Sequence, residues 1–101
     1  MSATIRITLP FHLQTLAQCE PEVEVQVNGV VSVLSAVRAL EMKYPTLRGA
    51  IIDLYTTQRR PKVRFFACAN DVSLLPLDNE LPAEIAAGKE PLMVIGAISG
   101  G

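Results

Sequence analysis

The sequence has 101 residues, a formal net charge of −1 and an apolar fraction of 50%. A chain of this length suits one compact domain that buries roughly 60 to 70% of its unfolded surface, and its weak charge excludes the strong positive field that holds a nucleic-acid backbone. No basic region followed by an apolar run opens the sequence, and its longest uncharged apolar stretch, 92–98, is too short for a bilayer. We therefore expect a cytoplasmic protein without nucleic-acid or membrane partners.

Two alternating segments near the N-terminus predict the first two strands. Apolar and polar side chains alternate strictly in residues 3–9, and Pro10 ends the segment. Residues 22–28 alternate again, and Asn28 with Gly29 supplies a turn. The two strands are candidates to pair, with these side chains turned inward: Ile5, Ile7, Leu9, Val23, Val25 and Val27.

The period then changes from two to 3.6 residues, which predicts one amphipathic helix. Ser32 suits the N-cap, and Pro45 ends the helix. We expect a buried stripe of Val33, Ala36, Val37, Leu40 and Tyr44. The opposite, water-facing side is predicted to carry Ser35, Arg38, Glu41 and Lys43. A short second helical turn is predicted in residues 46–55, with Leu47, Ile51 and Leu54 inward.

The C-terminal half predicts further strands joined by turns. Residues 56–61 form a basic loop, residues 62–69 a third strand, and the prolines of 70–82 divide that segment into short strands and turns. A turn precedes the last strand in residues 92–98. Strands and one main helix without a regular βαβ repeat predict an α+β fold, with the helix packed on one face of a mixed sheet.

Conventional catalytic groups are scarce in the sequence. The single histidine, His12, is interpreted as an ordinary exposed or satisfied side chain in a loop, and no glycine-rich nucleotide loop is present. Glu20, Glu22 and Glu24 are interpreted as the solvated face of a strand. A basic group is formed by Arg59, Arg60, Lys62 and Arg64. It is interpreted first as another solvated surface, and docking of an acidic partner is the alternative.

The two cysteines, Cys19 and Cys68, lie far apart without the spacing of a metal site or a disulfide framework. They are expected to be free thiols in a reducing compartment. Cys68 is predicted to be a buried, inert strand residue beside Phe66, and Cys19 to lie in a loop. The alternatives are a persulfide-bearing thiol at Cys68 and a sulfur-relay role for Cys19.

The printed sequence ends on Gly100 and Gly101, a pair that chance places there in about 0.5% of chains. A terminal carboxylate is a poor electrophile and needs activation, as an acyl-adenylate or a thioester, inside another protein. Glycine lets a partner's backbone come close on both sides. Residues 98–101, when extended, span about 13 to 14 Å, enough to reach a recessed site.

With this ending, the sequence resembles the MoaD/ThiS family of ubiquitin-like sulfur carriers, which have the β-grasp fold. The likeness covers nearly the whole chain. The segment TLRGAIID and the terminal GG follow the family pattern, although Gly96 stands where proline is common and Ser99 where alanine is. The longer N-terminal segment, 7–22, is more similar to members of the CysO type and to some molybdopterin-synthase small subunits. The helix segment VLSAVRALEMKYP keeps the family's Val33, Val37, Leu40, Glu41, Tyr44 and Pro45.

The resemblance implies a single ubiquitin-like domain over residues 1–101, with a four- to five-stranded sheet and a flexible tail at 98–101. It implies a carrier protein or small subunit rather than an enzyme, with no bound cofactor or metal. Gly101 would hold the thiocarboxylate, Gly100 would allow threading, and Ile98 and Ser99 would line the entry of the partner's site.

The implied partners are an adenylyltransferase of the ubiquitin-activating type, which uses ATP, a sulfur donor, and an acceptor synthase subunit. Molybdopterin, cysteine and thiamine biosynthesis stay open as pathways. Two other functions stay open as well: a ubiquitin-like protein modifier, and a β-grasp binding or regulatory subunit with a non-functional tail.

Overall fold

The computed structural model describes residues 2–96 of the chain. These residues form five strands, three α-helices and one 3-10 turn. In chain order the elements are strand β1 (Ser2–Thr8), helix α1 (Phe11–Ala17), strand β2 (Glu22–Asn28), helix α2 (Val33–Lys43), the 3-10 turn (Pro45–Leu47), strand β3 (Val63–Ala67), strand β4 (Asn70–Asp71), helix α3 (Ala83–Ala86) and strand β5 (Leu92–Gly96).

The strands form one mixed sheet in the order β2-β1-β5-β3-β4. The predicted pairing of the first two strands is confirmed, since β1 and β2 run antiparallel over their full lengths, from Ser2 opposite Asn28 to Thr8 opposite Glu22. Strand β5 lies parallel to β1 and antiparallel to β3. The last strand of the chain is therefore the central strand of the sheet.

One face of the sheet, here called the inner face, is buried beneath α2. Alternate side chains of the strands point to it, among them Ile5, Phe65 and Leu92, each completely buried. Burying a side chain of this size stabilises the fold by about 1.5 to 3 kcal/mol. The opposite, outer face carries the intervening residues, so it is the only broad face of the sheet left to solvent within residues 2–96.

Helix α2 begins as the sequence predicts. The Ser32 hydroxyl accepts a hydrogen bond from the Ser35 amide at 3.1 Å, and the Ser35 hydroxyl accepts one from the Ser32 amide at 2.8 Å. This reciprocal capping box satisfies two amides at the helix start. The predicted stripe is buried at Val33, Ala36, Val37 and Leu40, and Tyr44 is half-buried at the C-cap.

Glu41 was expected to face water, and that prediction is wrong, because only 6% of the residue is exposed. The position lies four residues after Val37 and three before Tyr44, so the helical period places it at the edge of the buried stripe. Its Oε1 pairs with Arg38 Nη1 at 3.0 Å, whereas its Oε2 is buried without a hydrogen-bond partner among the described residues.

Two short helices were predicted as loop or turn. Helix α1 follows Pro10 and buries only Leu13 completely, so its period is weak in the sequence. It ends at Gln18, which has a left-handed φ of 54°. Helix α3 is a single turn that buries Ile85. Elements this short present too few buried positions to be distinguished from loops by periodicity.

The predicted second helical turn is confirmed only at its start, where the 3-10 turn reaches Leu47, and the rest of the segment is a loop. Leu47 and Ile51 are buried as predicted, whereas Leu54 is 47% exposed, so its predicted inward position is wrong. The chain turns at Asp53, whose carboxylate accepts the amides of Tyr55 and Thr56 at 2.8 and 3.0 Å. These bonds turn Leu54 outward.

Candidate functional site

The sequence predicts the functional atoms in residues 98–101, and these lie outside the described residues, together with Ala97. The structure describes the root from which they continue, where β5 ends at Gly96. That end is firmly held. β5 pairs with β1 at Leu92 and Met93, and with β3 from Met93 to Gly96.

Side-chain packing reinforces this anchor. Leu92 and Val94 point to the inner face and are buried, which confirms the prediction of a core strand as far as Gly96. β5 is paired with β1 at its start and with β3 up to its last residue, so moving its end would break its bonds to β3. The direction in which the chain leaves the sheet is therefore fixed by the fold.

At the end of β5 the ring of His12 lies against Gly96. A Cβ atom built on residue 96 would collide with the imidazole carbon Cε1 of His12, and Nε2 would lie 3.1 Å away. Glycine at this position is thus favoured by the close approach of the His12 ring, and not by backbone conformation. His12 is exposed, as expected, but it belongs to α1 and not to a loop. We call Gly96 and His12 together the tail root.

Sequence reasoning missed this contact. Two signals were present: glycine stands where the resembled family commonly has proline, and the chain has a single histidine. Their proximity depends on α1, the short helix that periodicity does not predict. Without that helix nothing in the sequence brings residue 12 to the end of the last strand.

Beside the tail root the outer face carries an apolar patch formed by Phe66, Met93 and Ile95, here called the outer patch. Met93 and Ile95 are 40% and 41% exposed, and Phe66 is half-buried. Phe66 is the register partner of Met93, so the three side chains share one face of two adjacent strands. Alternation in the last strand alone would have predicted the outward positions of Met93 and Ile95.

Charged pairs border the outer patch on both sides. Arg64 pairs with Asp71 at 3.7 Å, and hydrogen bonds from Ser73 lower the pKa of the Asp71 carboxyl. On β1 and β2, Arg6 and Glu22 form a two-pronged pair with both nitrogen–oxygen distances at 3.0 Å. That hydrogen bonding raises the pKa of Arg6 and lowers the pKa of Glu22. The outer face thus combines an apolar centre with neutralised edges.

The basic group of the sequence is used largely inside the protein. Arg59 donates to the carbonyl oxygens of Val63 at 2.7 Å and Ser73 at 3.1 Å. Arg60 donates to the carbonyl of Gly49 at 2.7 Å and pairs with Asp53 at 3.3 Å. These contacts disfavour docking of an acidic partner, and they give Arg59 and Arg60 a role in holding the loop that the expected solvated surface does not include.

The thiols occupy different places from each other and from the tail root. Cys19 is half-buried after α1. Cys68 is half-buried in the turn after β3 with a left-handed φ of 51°, so its predicted place inside a strand is wrong. Desolvation raises the pKa of both thiols. A raised pKa lowers the thiolate fraction at neutral pH, which disfavours the sulfur-relay role.

Across residues 2–96, no three side chains of His, Cys, Asp or Glu gather where they could hold a metal ion. In the same range no helix is both long and apolar enough to cross a membrane.

Sequence comparison alone gives no relatives, since no protein-family model and no curated protein matches the chain. Solved structures do match. SAMP1 from Haloferax volcanii superposes with a TM-score of 0.75 at 20% identity, covering 97% of this chain and 99% of that one. CysO, solved in the Amycolatopsis orientalis BexX/CysO complex, gives a TM-score of 0.72 at 18% identity, covering 95% and 98%.

The small archaeal modifier protein 1 (SAMP1) of Methanosarcina acetivorans adds a TM-score of 0.73 at 19% identity, covering 100% of this chain and 99% of that one. The fold is the ubiquitin-like β-grasp. The sequence-based prediction of a β-grasp α+β fold with a mixed sheet is therefore confirmed, including the expected likeness to CysO. In this β-grasp domain α2 covers the inner face, and the tail root and outer patch lie at the end and on the open side of the central strand.

Proposed function

We propose that this protein is a sulfur carrier that acts with partner enzymes and has no catalytic residues of its own. The carboxylate of Gly101 is adenylated by an enzyme of the ubiquitin-activating type and then converted to a thiocarboxylate. The thiocarboxylate delivers sulfur to an acceptor synthase in a biosynthesis of the molybdopterin, cysteine or thiamine type. Under this proposal the protein works in the cytoplasm with these enzymes.

The observation that carries the proposal is the central position of β5, which ends at the tail root beside the outer patch. The printed sequence continues for five residues, 97–101, beyond Gly96. Five extended residues reach at most about 17 Å. A partner that docks on the outer patch could therefore receive Gly101 in a recessed site without any change in the domain.

The chemistry requires such a partner. A terminal carboxyl group has a pKa of roughly 3.3 to 3.7 and is an unreactive anion at neutral pH. One of its oxygens attacks the α-phosphate of ATP, which forms the acyl-adenylate and releases pyrophosphate. A sulfide equivalent from the sulfur donor then attacks the acyl carbon and expels AMP, which leaves the thiocarboxylate. Transfer of that sulfur to an acceptor and addition of water regenerate the carboxylate.

Ile98, Ser99 and Gly100 are assigned to the entry of the partner's site. The two glycines carry no Cβ, so the partner's backbone can approach the chain closely. The outer patch is assigned to docking, because apolar side chains exposed on adjacent strands form a contiguous surface that water solvates poorly. CysO, which shares this fold, was solved in a complex with BexX, which supports the expectation that this domain binds a partner protein.

A second candidate is a protein modifier, in which Gly101 forms an amide bond with another protein. The observation that favours it is the similarity to the structures named small archaeal modifier protein 1. Both functions need the same activated carboxylate, so the tail root and the outer patch serve either one. A binding subunit with a non-functional tail is the remaining alternative.

Intact-mass analysis of the protein purified from its native cell tests these functions. A sulfur carrier shows a mass increase equal to the exchange of one oxygen for sulfur, and alkylation of the thiocarboxylate labels the C-terminal peptide ending at Gly101. A modifier instead gives branched peptides that join Gly101 to lysines of other proteins. The same measurement establishes which residue ends the chain in the cell.

The matched control is a variant lacking Gly100 and Gly101, expressed at the same level. It retains the whole of β5, so it should fold like the full chain. The sulfur-containing mass must vanish in this variant. Finding neither sulfur nor conjugates on the full chain under conditions that demand sulfur transfer would sink both tail-based functions and leave the binding subunit.

A further inference from the structure

The two edges of the sheet differ strongly in the surface that they offer. At one edge β4 spans only two residues, Asn70–Asp71, which is too short to act as a template for another strand. At the other edge β2 spans seven residues, Glu22–Asn28, without proline or a bulge in its pairing with β1. Long regular edge strands present unpaired backbone groups to passing chains, and proteins usually shorten, cover or charge them.

The backbone groups that face this edge can be identified. Lys43 donates from Nζ to the carbonyl oxygen of Glu24 at 2.8 Å, so that carbonyl points away from β1. In an antiparallel strand the amide and the carbonyl of one residue point the same way, and successive residues alternate. The amides of Glu24 and Gln26 therefore face the free edge, whereas that of Val25 faces β1.

A cleft runs between this edge and α2. Its volume is about 730 Å³, and its lining includes Ala39, Met42 and Lys43. Met42 is 84% exposed, so it presents apolar surface at the side of the cleft. A strand added to β2 would place every second side chain here, against Ala39 and Met42, so apolar side chains suit these positions.

The alternate side chains of an added strand would lie on the outer face beside Glu24, which is exposed, and beside Glu22, whose carboxylate is already bonded to Arg6. Opposite charges on neighbouring strands stabilise the pair, and like charges destabilise it. Basic side chains suit these positions. A second copy of β2 would bring its own Glu24 to the same edge, and this like charge disfavours pairing between two copies of this chain.

We propose that the edge of β2 binds an extended segment of a partner protein as a sixth strand, and that this segment alternates basic and apolar residues. Main-chain hydrogen bonds to Glu24 and Gln26 supply affinity, and the two kinds of side chain supply specificity. In the free protein Lys43 donates a hydrogen bond to the Glu24 carbonyl. This bond breaks when the segment binds.

This surface is independent of the proposed carrier function. Only β1 separates β2 from β5, so the edge lies about 10 Å from the central strand. The outer patch and the tail root stay open when the edge is filled. A partner segment at β2 could thus hold the domain while Gly101 is presented elsewhere.

Backbone amide exchange tests the proposal with a synthetic peptide in which lysine alternates with valine. The full-length protein, labelled with nitrogen-15, is titrated with this peptide, and exchange is followed for each amide. A sixth strand slows the amides of Glu24 and Gln26 by about tenfold or more, and leaves that of Val25 unchanged because it already pairs with β1. A peptide with glutamate in place of lysine serves as the charge-reversed control and should not bind.

Two substitutions at one position separate backbone from side-chain effects. Gln26→Pro removes an amide that points to solvent, which an edge strand tolerates, and should abolish binding of the peptide. Gln26→Ala keeps the amide and removes the side-chain contact to Thr4, so binding should persist. Lys43→Ala frees the Glu24 carbonyl and should tighten binding several-fold, which a loss of folding could not mimic.

Three results would overturn the proposal. One is equal binding of the peptide by Gln26→Pro and Gln26→Ala. Another is a response at Met93 and Ile95 in place of Glu24 and Gln26, which would assign the peptide to the outer patch. The third is concentration-dependent dimerisation with protection of the same two amides in the absence of peptide, which would make a second copy the occupant. None of these results bears on the sulfur at Gly101.

Discussion

Two surface regions compete for a functional interpretation, the basic loop at residues 56–61 and the end of β5. The loop is rich in charge, yet Arg59 and Arg60 form their hydrogen bonds and ion pair with carbonyl groups and with Asp53 of the same domain. The end of β5 is poor in charge, yet it leaves Met93 and Ile95 uncovered beside the tail root. Polar groups that are already paired have little left to offer a partner, whereas uncovered apolar area has much.

The largest expected effect follows from removing Gly100 and Gly101. Activation by the native adenylating enzyme should be lost completely, because the reacting carboxylate would sit on a different residue and about 7 Å closer to the domain. ATP–pyrophosphate exchange measures this step. Thermal unfolding should not change, since β5 and its pairing stay intact. If the shortened chain were still activated, Gly101 would not be the residue that the enzyme adenylates.

Arg59→Ala should have the largest effect on stability. Its guanidinium bonds to the carbonyls of Val63 and Ser73, and charged hydrogen bonds contribute about 1.5 to 3 kcal/mol each where they are buried. Because this residue is only half-buried, we expect a loss of about 2 kcal/mol in all, measured by urea unfolding. Arg64→Ala is the control: its exposed pair with Asp71 at 3.7 Å should contribute less than about 1 kcal/mol. Similar losses for the two variants would contradict the structural role assigned to the loop.

The sequence predicts the fold well where its pattern is long. Alternation in β1 and β2 and the capped period of α2 each involve many positions, and all three elements occur where the pattern predicts them. The failures lie in α1 and α3, where a single buried side chain carries the packing. Glu41 failed for a related reason, since one helix position at the border of the stripe is decided by its neighbours and not by its polarity.

The candidate site divides in the same way. The terminal glycines are visible in the sequence as a local feature, and they stay a prediction because the described residues end at Gly96. The contact of His12 with Gly96 and the pairing of Phe66 with Met93 join residues that are distant in the chain. Such contacts follow from strand order and helix position, which one sequence does not determine. The role of Arg59 and Arg60 could not be predicted, because the sequence gives their charge but not the carbonyl groups to which they donate.

A substitution on the outer patch tests whether this surface docks the activating enzyme. Ile95→Asp places a charge in the middle of the proposed docking surface and should weaken binding to the activating enzyme by about tenfold or more, which corresponds to about 1.4 kcal/mol. Titration calorimetry with that enzyme measures the change. Met42→Asp makes the same chemical change at an exposed position on α2 and should leave this affinity as it is. Equal weakening by the two variants would mean that the outer patch is not the docking surface.

The tail root allows a smaller, two-residue test. Gly96→Ala forces the His12 ring away from the strand end, and we expect a loss of about 1 kcal/mol in unfolding free energy, since an exposed ring can move at moderate cost. His12→Ala removes the obstacle. The double variant should therefore be more stable than the sum of the single changes predicts, with a coupling of about 0.5 kcal/mol or more. Strict additivity would show that the two residues do not contact each other in solution.

The smallest expected effect is the dependence of the unfolding free energy on acid pH, through Asp53, which bonds the basic loop. Backbone hydrogen bonds from Thr56 and Tyr55 lower the pKa of Asp53, and hydrogen bonds from Ser73 lower that of Asp71. A carboxyl whose pKa is lower in the folded than in the unfolded chain stabilises the fold above its unfolded pKa, and this contribution is lost as the pH falls through the folded value. Stability should thus be level near neutrality and decline below about pH 4. Asp53→Asn should flatten that decline in urea unfolding at stepped pH, because it removes the carboxyl group whose pKa is lowered. An acid decline as steep in Asp53→Asn as in the unaltered protein would show that the loop does not depend on the Asp53 carboxylate, and the contrast with the end of β5 would then rest on the arginines alone.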